Sequence, residues 1–403
     1  MAPLTPSCTA PLVAVAGLSA RMLARSAAQA GLRVAALDAF GDRDTRAASS
    51  IWFDVAGPGL SIDRARVADA LRRLARLPRM IGWIAGSGTE PFVDELAEAR
   101  GLPPLIGNRA PAAAVRDPHR FFALLDALGI AHPAVSFARP PGPGWLFKRA
   151  DGCGGTHIVR AGEARDGDIG RGYFQREAQG RACSALFLAA RGKARVIGFA
   201  EQSSTAAGTL PYLYTGAIGP VALPAACAAR VCDAIARICR ETALVGLNSF
   251  DFLLNDDGDI SVLEINARPS ATMALYEAAW PQRWPLGLLA WHLDACRHGR
   301  LPGETGIDEG PPSTCVGQQV VFAPSALVCT QALSDACLAD PACRDVPMPG
   351  TRIGAHEPLC TIVASARTPA AVRQALEHQR AAVLQRTETL YEPPNHAFVA
   401  YSA

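Results

Sequence analysis

Short apolar runs alternating with amphipathic stretches open the chain. Leu12–Ala16 is apolar and ends at Gly17, Ser19–Gln29 follows at helical spacing and is closed by Gly31, and Arg33–Leu37 is a second apolar run ending at Asp38. Strand, helix, strand is the opening of a doubly wound α/β layer. Ile81–Ala85 continues it, ahead of Gly86, Ser87 and Gly88. Segment 1–110 therefore reads as an N-terminal parallel-sheet domain. Its first turn, Gly17-Leu18-Ser19-Ala20, lacks the three spaced glycines of a dinucleotide fingerprint. Clefts in such layers open at the C-terminal ends of the strands, so Gly17–Arg21, Asp38 and Gly86–Thr89 are candidate substrate contacts. Each reads as well as an ordinary strand-to-helix turn.

Further on, Phe121–Leu128 is helical and Pro140-Pro141-Gly142-Pro143-Gly144 is a stiff connector. Trp145–Arg149, Tyr173–Glu177, Ala185–Ala189 and Arg195–Phe199 read as strands, and 222–243 as a helix. A helical, Trp-rich stretch covers 280–296. The last hundred or so residues read as a β-rich unit with a closing helix, Pro369–Gln385.

The segment 246–270 carries the strongest pattern. Two apolar runs flank Asn255-Asp256-Asp257-Gly258-Asp259, and Asp-Gly suits a two-residue type I′ turn. With Asp257 and Gly258 in the turn, Asn255 pairs with Ile260 and Asp251 with Glu264. Carboxylates placed directly opposite one another repel unless a cation lies between them. Asn266 follows Glu264 by two residues and shares its face. Asp251, Glu264 and Asn266 thus form a candidate site for a hard cation, Mg²⁺ or Mn²⁺, of the kind completed by nucleotide phosphates. A solvated acidic hairpin is the plain alternative. The apolar inner positions and the adjacent Arg268-Pro269 weigh against it.

Upstream, the strand Trp145–Arg149 delivers Lys148 to a glycine-rich loop, Asp151-Gly152-Cys153-Gly154-Gly155-Thr156-His157. Bare N–H groups at Gly152, Gly154 and Gly155 can wrap phosphate oxygens, and Lys148 adds a point charge. Few side chains here can anchor the loop, so it is expected to order over a nucleotide. The Walker pattern is absent, because Lys148 precedes the loop instead of ending it.

Composition narrows the function classes. The chain has 403 residues, a net charge of +2 and 49% apolar residues, enough for two or three packed units and with no charge excess aimed at nucleic acid or an anionic membrane. No apolar run reaches the length of a membrane span, and the start lacks the basic region of a signal peptide. The twelve cysteines include no CxxC pair. They read as reduced structural thiols of a cytoplasmic protein.

Lys148 with Gly152-Cys153-Gly154-Gly155, the run Gln175-Arg176-Glu177-Ala178-Gln179-Gly180, and Asp251, Glu264, Asn266 and Arg268 together resemble the ATP-grasp superfamily over roughly 111–285. The resemblance implies an α/β fold with a two-subdomain ATP-grasp core and a C-terminal unit over 286–403. It also implies ATP as cosubstrate, with adenine lined by the backbone of Gln175, Arg176, Glu177 and Ala178, and metal held by Asp251, Glu264 and Asn266. Lys148 and Arg268 are the implied catalytic residues. The flanks, including Phe40-Gly41-Asp42-Arg43-Asp44-Thr45 and Pro347-Met348-Pro349-Gly350-Thr351, resemble a carboligase-like branch related to biotin carboxylase, with tyramine–glutamate ligase as a functional relative. Two departures stand out. Arg176 and Glu177 replace an acid and an aromatic, and an Arg within Arg116–Arg120 stands where many members carry a phosphate-binding Lys.

The resemblance implies small-molecule carboxylate and amine substrates, joined through an acyl phosphate, and allows a homodimer. Bicarbonate-dependent carboxylation and nucleotide binding without turnover remain alternatives at this level.

Overall fold

The structure, a computed structural model, describes residues 9–109, 114–303 and 314–390. Strands β1 (Leu12–Gly17), β2 (Arg33–Asp38), β3 (Ile51–Asp54) and β4 (Met80–Ala85) form a parallel sheet in the order β3-β2-β1-β4. β1 is buried throughout, as a parallel strand covered on both faces must be. Its side chains alternate accordingly. Val13 and Val15 pack under helix α1 (Arg21–Gln29), while Leu12, Ala14 and Ala16 pack under α3 (Arg64–Ala75). Two short helices, α2 (Arg43–Ala47) and α4 (Val93–Glu98), complete the layer. The doubly wound opening read from the sequence is the one observed.

Helix α5 (Pro118–Ala127) starts where Asp117 caps the Arg120 N–H and Pro118 takes the first turn. It leads into a small antiparallel sheet of β5 (Val135–Ser136), β6 (Trp145–Arg149), β7 (Ile158–Arg160) and β8 (Gly172–Arg176), ordered β5-β8-β6-β7. Phe147 and Phe174 face outward from the site, into a cluster with Ala164. Lys148, paired with Tyr173, therefore lies on the opposite face together with Leu146 and Gln175.

The largest sheet has eight strands. It contains β9 (Arg181–Ala190), β10 (Lys193–Ala207), β11 (Leu210–Val221), β12 (Gly246–Leu254), β13 (Ile260–Asn266) and β14 (Cys315–Phe322). The segments β15 (Leu327–Val328) and β17 (Arg352–Ile353) pair separately, while β16 (Cys343–Arg344) and β18 (Pro358–Ala366) complete the large sheet. The order is β13-β12-β9-β10-β11-β14-β18-β16, so C-terminal strands continue the sheet that carries the acidic hairpin. Helix α6 (Ala225–Glu241) covers one face with Phe250 and Phe252 beneath it. On the other face α7 (Met273–Ala279) and α8 (Gly287–His298) share one apolar cluster with Leu186, Leu188 and Leu247 of the sheet and Leu23 and Ala24 of α1. That common core fixes the N-terminal layer against the large sheet. Helices α9 (Gln331–Ala339) and α10 (Pro369–Leu390) close the C-terminal end, α10 lying on β14 and β18.

Among the described residues no helix is long and apolar enough to cross a membrane. The eleven described cysteines form no disulfide with one another.

Candidate active site

Asp251 and Glu264 stand directly opposite each other on β12 and β13, as the hairpin pattern predicts. The route to that register differs from the two-residue turn. Asn255 N–H donates to Asp259 O, Gly258 N–H donates to Asn255 O, and Gly258 has φ +81°. This is a type I turn followed by a left-handed glycine, which makes a longer loop. Leu254, not Asn255, therefore pairs with Ile260. The register is restored by an irregularity between Asp251 and Phe252, which leaves Leu263 without a partner in the ladder.

Asp251 is buried, and its Oδ1 accepts from Ser184 Oγ at 2.6 Å. Burial, with Glu264 adding to it, raises its pKa to about 7, against the opposing pull of Ser184, Gln202 and Arg268. Asn266 joins the two acids. Its Nδ2 donates to Asp251 Oδ2 at 3.1 Å and to Glu264 Oε1 at 3.2 Å. The expectation of an Asn266 oxygen beside the acids is thus corrected. The amide nitrogen faces them, because it is the end that can donate, and the oxygen accepts from Arg268 at 3.0 Å.

Lys148 is almost fully buried. Burial pulls its pKa below the ordinary lysine value, while the fields of Glu264 and Asp251 push the other way. The side chain of Lys148 thus looks across at the acidic hairpin. The glycine loop after it is docked rather than loose. Tyr214 N–H donates to Gly154 O at 3.0 Å, and Thr156 Oγ1 donates to Cys153 O at 2.9 Å. Gly155 has φ +78°, and a Cβ there would run into Tyr212 O. A side chain at Gly152 would run into the His157 ring. These glycines are needed for close approach as much as for bare N–H groups.

Gln175 is buried on the Lys148 face, and among the described residues its Nε2 finds no partner, nor does His157 Nδ1. His157 lines a cavity, where an unpaired buried polar atom fits a polar ligand. The side chains of the next two residues are engaged elsewhere. Arg176 donates to Pro143 O and lies over Trp145, while Glu177 accepts from Tyr212 and Arg160. The backbone N–H groups of Arg176 and Glu177 donate to Ala134 O and Gly144 O. The N–H groups of Ala178, Gln179 and Gly180 have no backbone partner among the described residues.

Arg268 is held on two sides. Its Nε donates to Glu90 Oε1 at 2.5 Å, and its Nη2 reaches Ser87 Oγ at 3.3 Å as well as Asn266. The turn Gly86–Thr89 is therefore brought to the site, as its candidacy required. Glu90, one residue beyond it, was missed by sequence reasoning, since a lone Glu after a turn gives no signal until Arg268 is beside it. A cavity of about 320 Å³ joins Glu264, Asn266 and Arg268 to Gly152, His157 and Arg116. Arg116, held by Asp94 at 2.6 Å and by Asn108 O at 2.9 Å, is the arginine of Arg116–Arg120 that lines it. Asp38 drops out as a substrate contact. Its carboxylate is fully buried and accepts from Ala20, Phe40 and Gly41 N–H and from Trp52 Nε1. It fastens the ends of β1 and β2 together.

Among the described residues no group of three or more His, Cys, Asp and Glu gathers around one point. Two carboxylates with an amide still fit Mg²⁺, which binds through one or two carboxylates and keeps phosphate and water ligands.

Two paired acids on the large sheet are faced by a small sheet that carries a buried Lys and a docked glycine loop. Residues 117–272 match the sequence model of a family described as the ATP-grasp domain, so this segment carries an ATP-grasp domain. A search of curated protein sequences returns no significant match. Solved structures share the fold along nearly the whole chain. An L-amino acid ligase from Bacillus licheniformis is 14% identical with TM-score 0.65, over 92% of this chain and 97% of that one. A biotin carboxylase–ATP complex from Campylobacter jejuni is 13% identical with TM-score 0.68, over 94% and 97%. The biotin carboxylase domain of Hydrogenobacter thermophilus 2-oxoglutarate carboxylase, solved with MgADP and bicarbonate, is 13% identical with TM-score 0.66, over 95% and 90%.

Proposed function

We propose that this protein is a cytoplasmic, ADP-forming carboxylate–amine ligase that works through an acyl phosphate. The observation that carries the reading is the convergence of Glu264, Asn266 and Arg268 on one cavity, with Asp251 paired to Glu264 and bonded to Asn266, and with the buried Lys148 in the field of both acids. Lys148, Arg116 and the N–H groups of Gly152, Gly154 and Gly155 hold the phosphates of ATP. Gln175 and the backbone from Arg176 to Ala178 hold the base, and the unpaired Gln175 Nε2 and Ala178 N–H support that role. Asp251 and Glu264 hold Mg²⁺, and Asn266 turns its amide end for end to present its oxygen. Bound there, the cation screens phosphate charge and orients the γ-phosphoryl group.

A substrate carboxylate attacks the γ-phosphorus and ADP leaves. The amine nitrogen then attacks the acyl carbon, the C–O bond to phosphate breaks, and the nitrogen loses its proton. Arg268 is placed for the oxygens on which negative charge gathers. Such catalysis is positioning and electrostatics, with no nucleophilic side chain.

The test is hydroxylamine trapping. With Mg-ATP and a panel of amino acids and small carboxylates, the ligase forms a hydroxamate and ADP without bicarbonate. Strict dependence of ADP release on bicarbonate, with no hydroxamate, would sink the ligase reading in favour of carboxylation.

A further inference from the structure

A second cavity, of about 420 Å³, lies between the N-terminal turn, the strand end before α2, and the C-terminal strand β18. Its volume is that of a small-molecule site, which runs roughly from 300 to 1,000 Å³. Most of its wall is apolar, including Leu18, Met22, Phe40, Pro347, Ile353 and Leu359. Arg268 lines it as well as the first cavity, so the two meet at the guanidinium.

Asp42 lines the same cavity. It is 6% exposed, yet no donor reaches its carboxylate among the described residues. It occupies the N-cap position of α2 but makes no side-chain cap bond. Its neighbours do not neutralise it. Arg21 is taken by Asp345 at 2.7 Å and by Asp44 at 3.5 Å, and Arg43 by Asp335 at 2.5 Å. Burial, and then the nearby carboxylates Asp345, Asp38 and Asp44, hold the Asp42 proton affinity well above the usual carboxylate range. A buried, unpaired carboxylate is costly to a fold, and it is explained if a cation arrives with a ligand.

We propose that this cavity binds a zwitterion with an apolar body, an apolar amino acid, whose ammonium group sits against Asp42 and whose carboxylate points to Arg268. This rests on the ligase reading for what happens next. The carboxylate at Arg268 is the one to be phosphorylated, and Asp42 selects substrates that carry an amino group. Asp42 is a binding residue here and takes no part in phosphoryl transfer.

Calorimetric binding to the whole protein tests the proposal without turnover, so it stands or falls separately from the ligase chemistry. Three matched probes suffice: leucine, 4-methylpentanoate, which lacks the ammonium, and 3-methylbutylamine, which lacks the carboxylate. Wild type should bind leucine at least about tenfold more tightly than either analogue, the scale of one charge-assisted hydrogen bond. Asp42→Asn should erase the preference for leucine over 4-methylpentanoate while leaving 4-methylpentanoate itself bound as before. Without ligand, Asp42→Asn should also raise the unfolding midpoint, because it removes an unpaired buried acid and no cap bond. The proposal is overturned if 4-methylpentanoate binds wild type as tightly as leucine. It is equally overturned if Asp42→Asn weakens both ligands alike or lowers the unfolding midpoint, either of which would make Asp42 a structural residue.

Discussion

At the scale of single residues, Asp251 is the group whose chemistry is most exposed to measurement. Its folded pKa of about 7 lies above the ordinary carboxylate value. In the metal-free protein the folded state therefore holds a proton that the unfolded state has released. The resulting contribution to stability is present below pH 4 or so and is lost as pH rises to about 7. A cation replaces that proton. Mg²⁺ affinity should fall about tenfold per pH unit below pH 7 and level off above it, with proton release on binding in the acid range. Thermal shifts with and without Mg²⁺ at pH 6 and pH 8 read this directly; equal shifts would show that Asp251 is not a ligand. Arg268 makes a separate prediction. Arg268→Ala should lower the chemical rate by roughly 10²- to 10³-fold, the loss seen when one preorganised charge-stabilising donor is removed. ATP affinity should stay nearly constant, since Lys148, Arg116 and the cation carry the phosphates. Single-turnover kinetics beside nucleotide titration separate the two, and a change confined to affinity would count against the assigned role.

At the scale of elements, the glycine loop and β11 act as one unit. Gly155 is left-handed and pressed against Tyr212, so Gly155→Ala meets both backbone strain and a clash. The substitution should undock residues 151–157 and raise their amide exchange, while the strands of the large sheet keep theirs. In wild type, Mg-ATP should slow exchange across the same residues. If Gly155→Ala leaves exchange at 151–157 unchanged, the docking against β11 does not hold the loop. The hairpin shows what element-level patterns carry. Side-chain alternation puts Asp251 on the face opposite Phe250 and Phe252, and a one-residue slip would send those rings to the wrong side. The turn was less legible. An Asp-Gly dipeptide is compatible with more than one loop length, and only the ladder with its bulge decides among them.

Across the whole molecule, the N-terminal layer and the C-terminal strands are tied at Arg21. Its Nε donates to Asp345 at 2.7 Å, Ser19 Oγ donates to the same carboxylate at 3.0 Å, and Asp44 accepts from the N–H groups of Asp345 and Val346. Arg21→Ala would leave the half-buried Asp345 without its cation. It should cost about 3–5 kcal/mol, the usual penalty for breaking a buried pair from one side. Denaturant unfolding checks the magnitude, and a loss well under 1 kcal/mol would show that the apolar core alone fixes the two ends. The same tie forms part of the wall of the second cavity, so leucine binding should weaken with it.

Local pattern determined a good deal here. Hydrophobic period gave the parallel opening layer and the acidic hairpin, and glycine chemistry marked the loop after Lys148. Each of these depends on neighbours a few residues apart, where side-chain alternation and backbone freedom act directly. Tertiary structure decided the rest. It emptied Asp38 of a ligand role by surrounding it with donors, chose Arg116 to line the first cavity, set Glu90 against Arg268, and left Asp42 buried with no partner among the described residues. Those outcomes join residues far apart in the chain, Arg268 with Glu90 and Asp345 with Arg21 among them. Whether a charge is saturated or free is a property of everything packed around it, and packing at long range leaves no mark in the residues on either side.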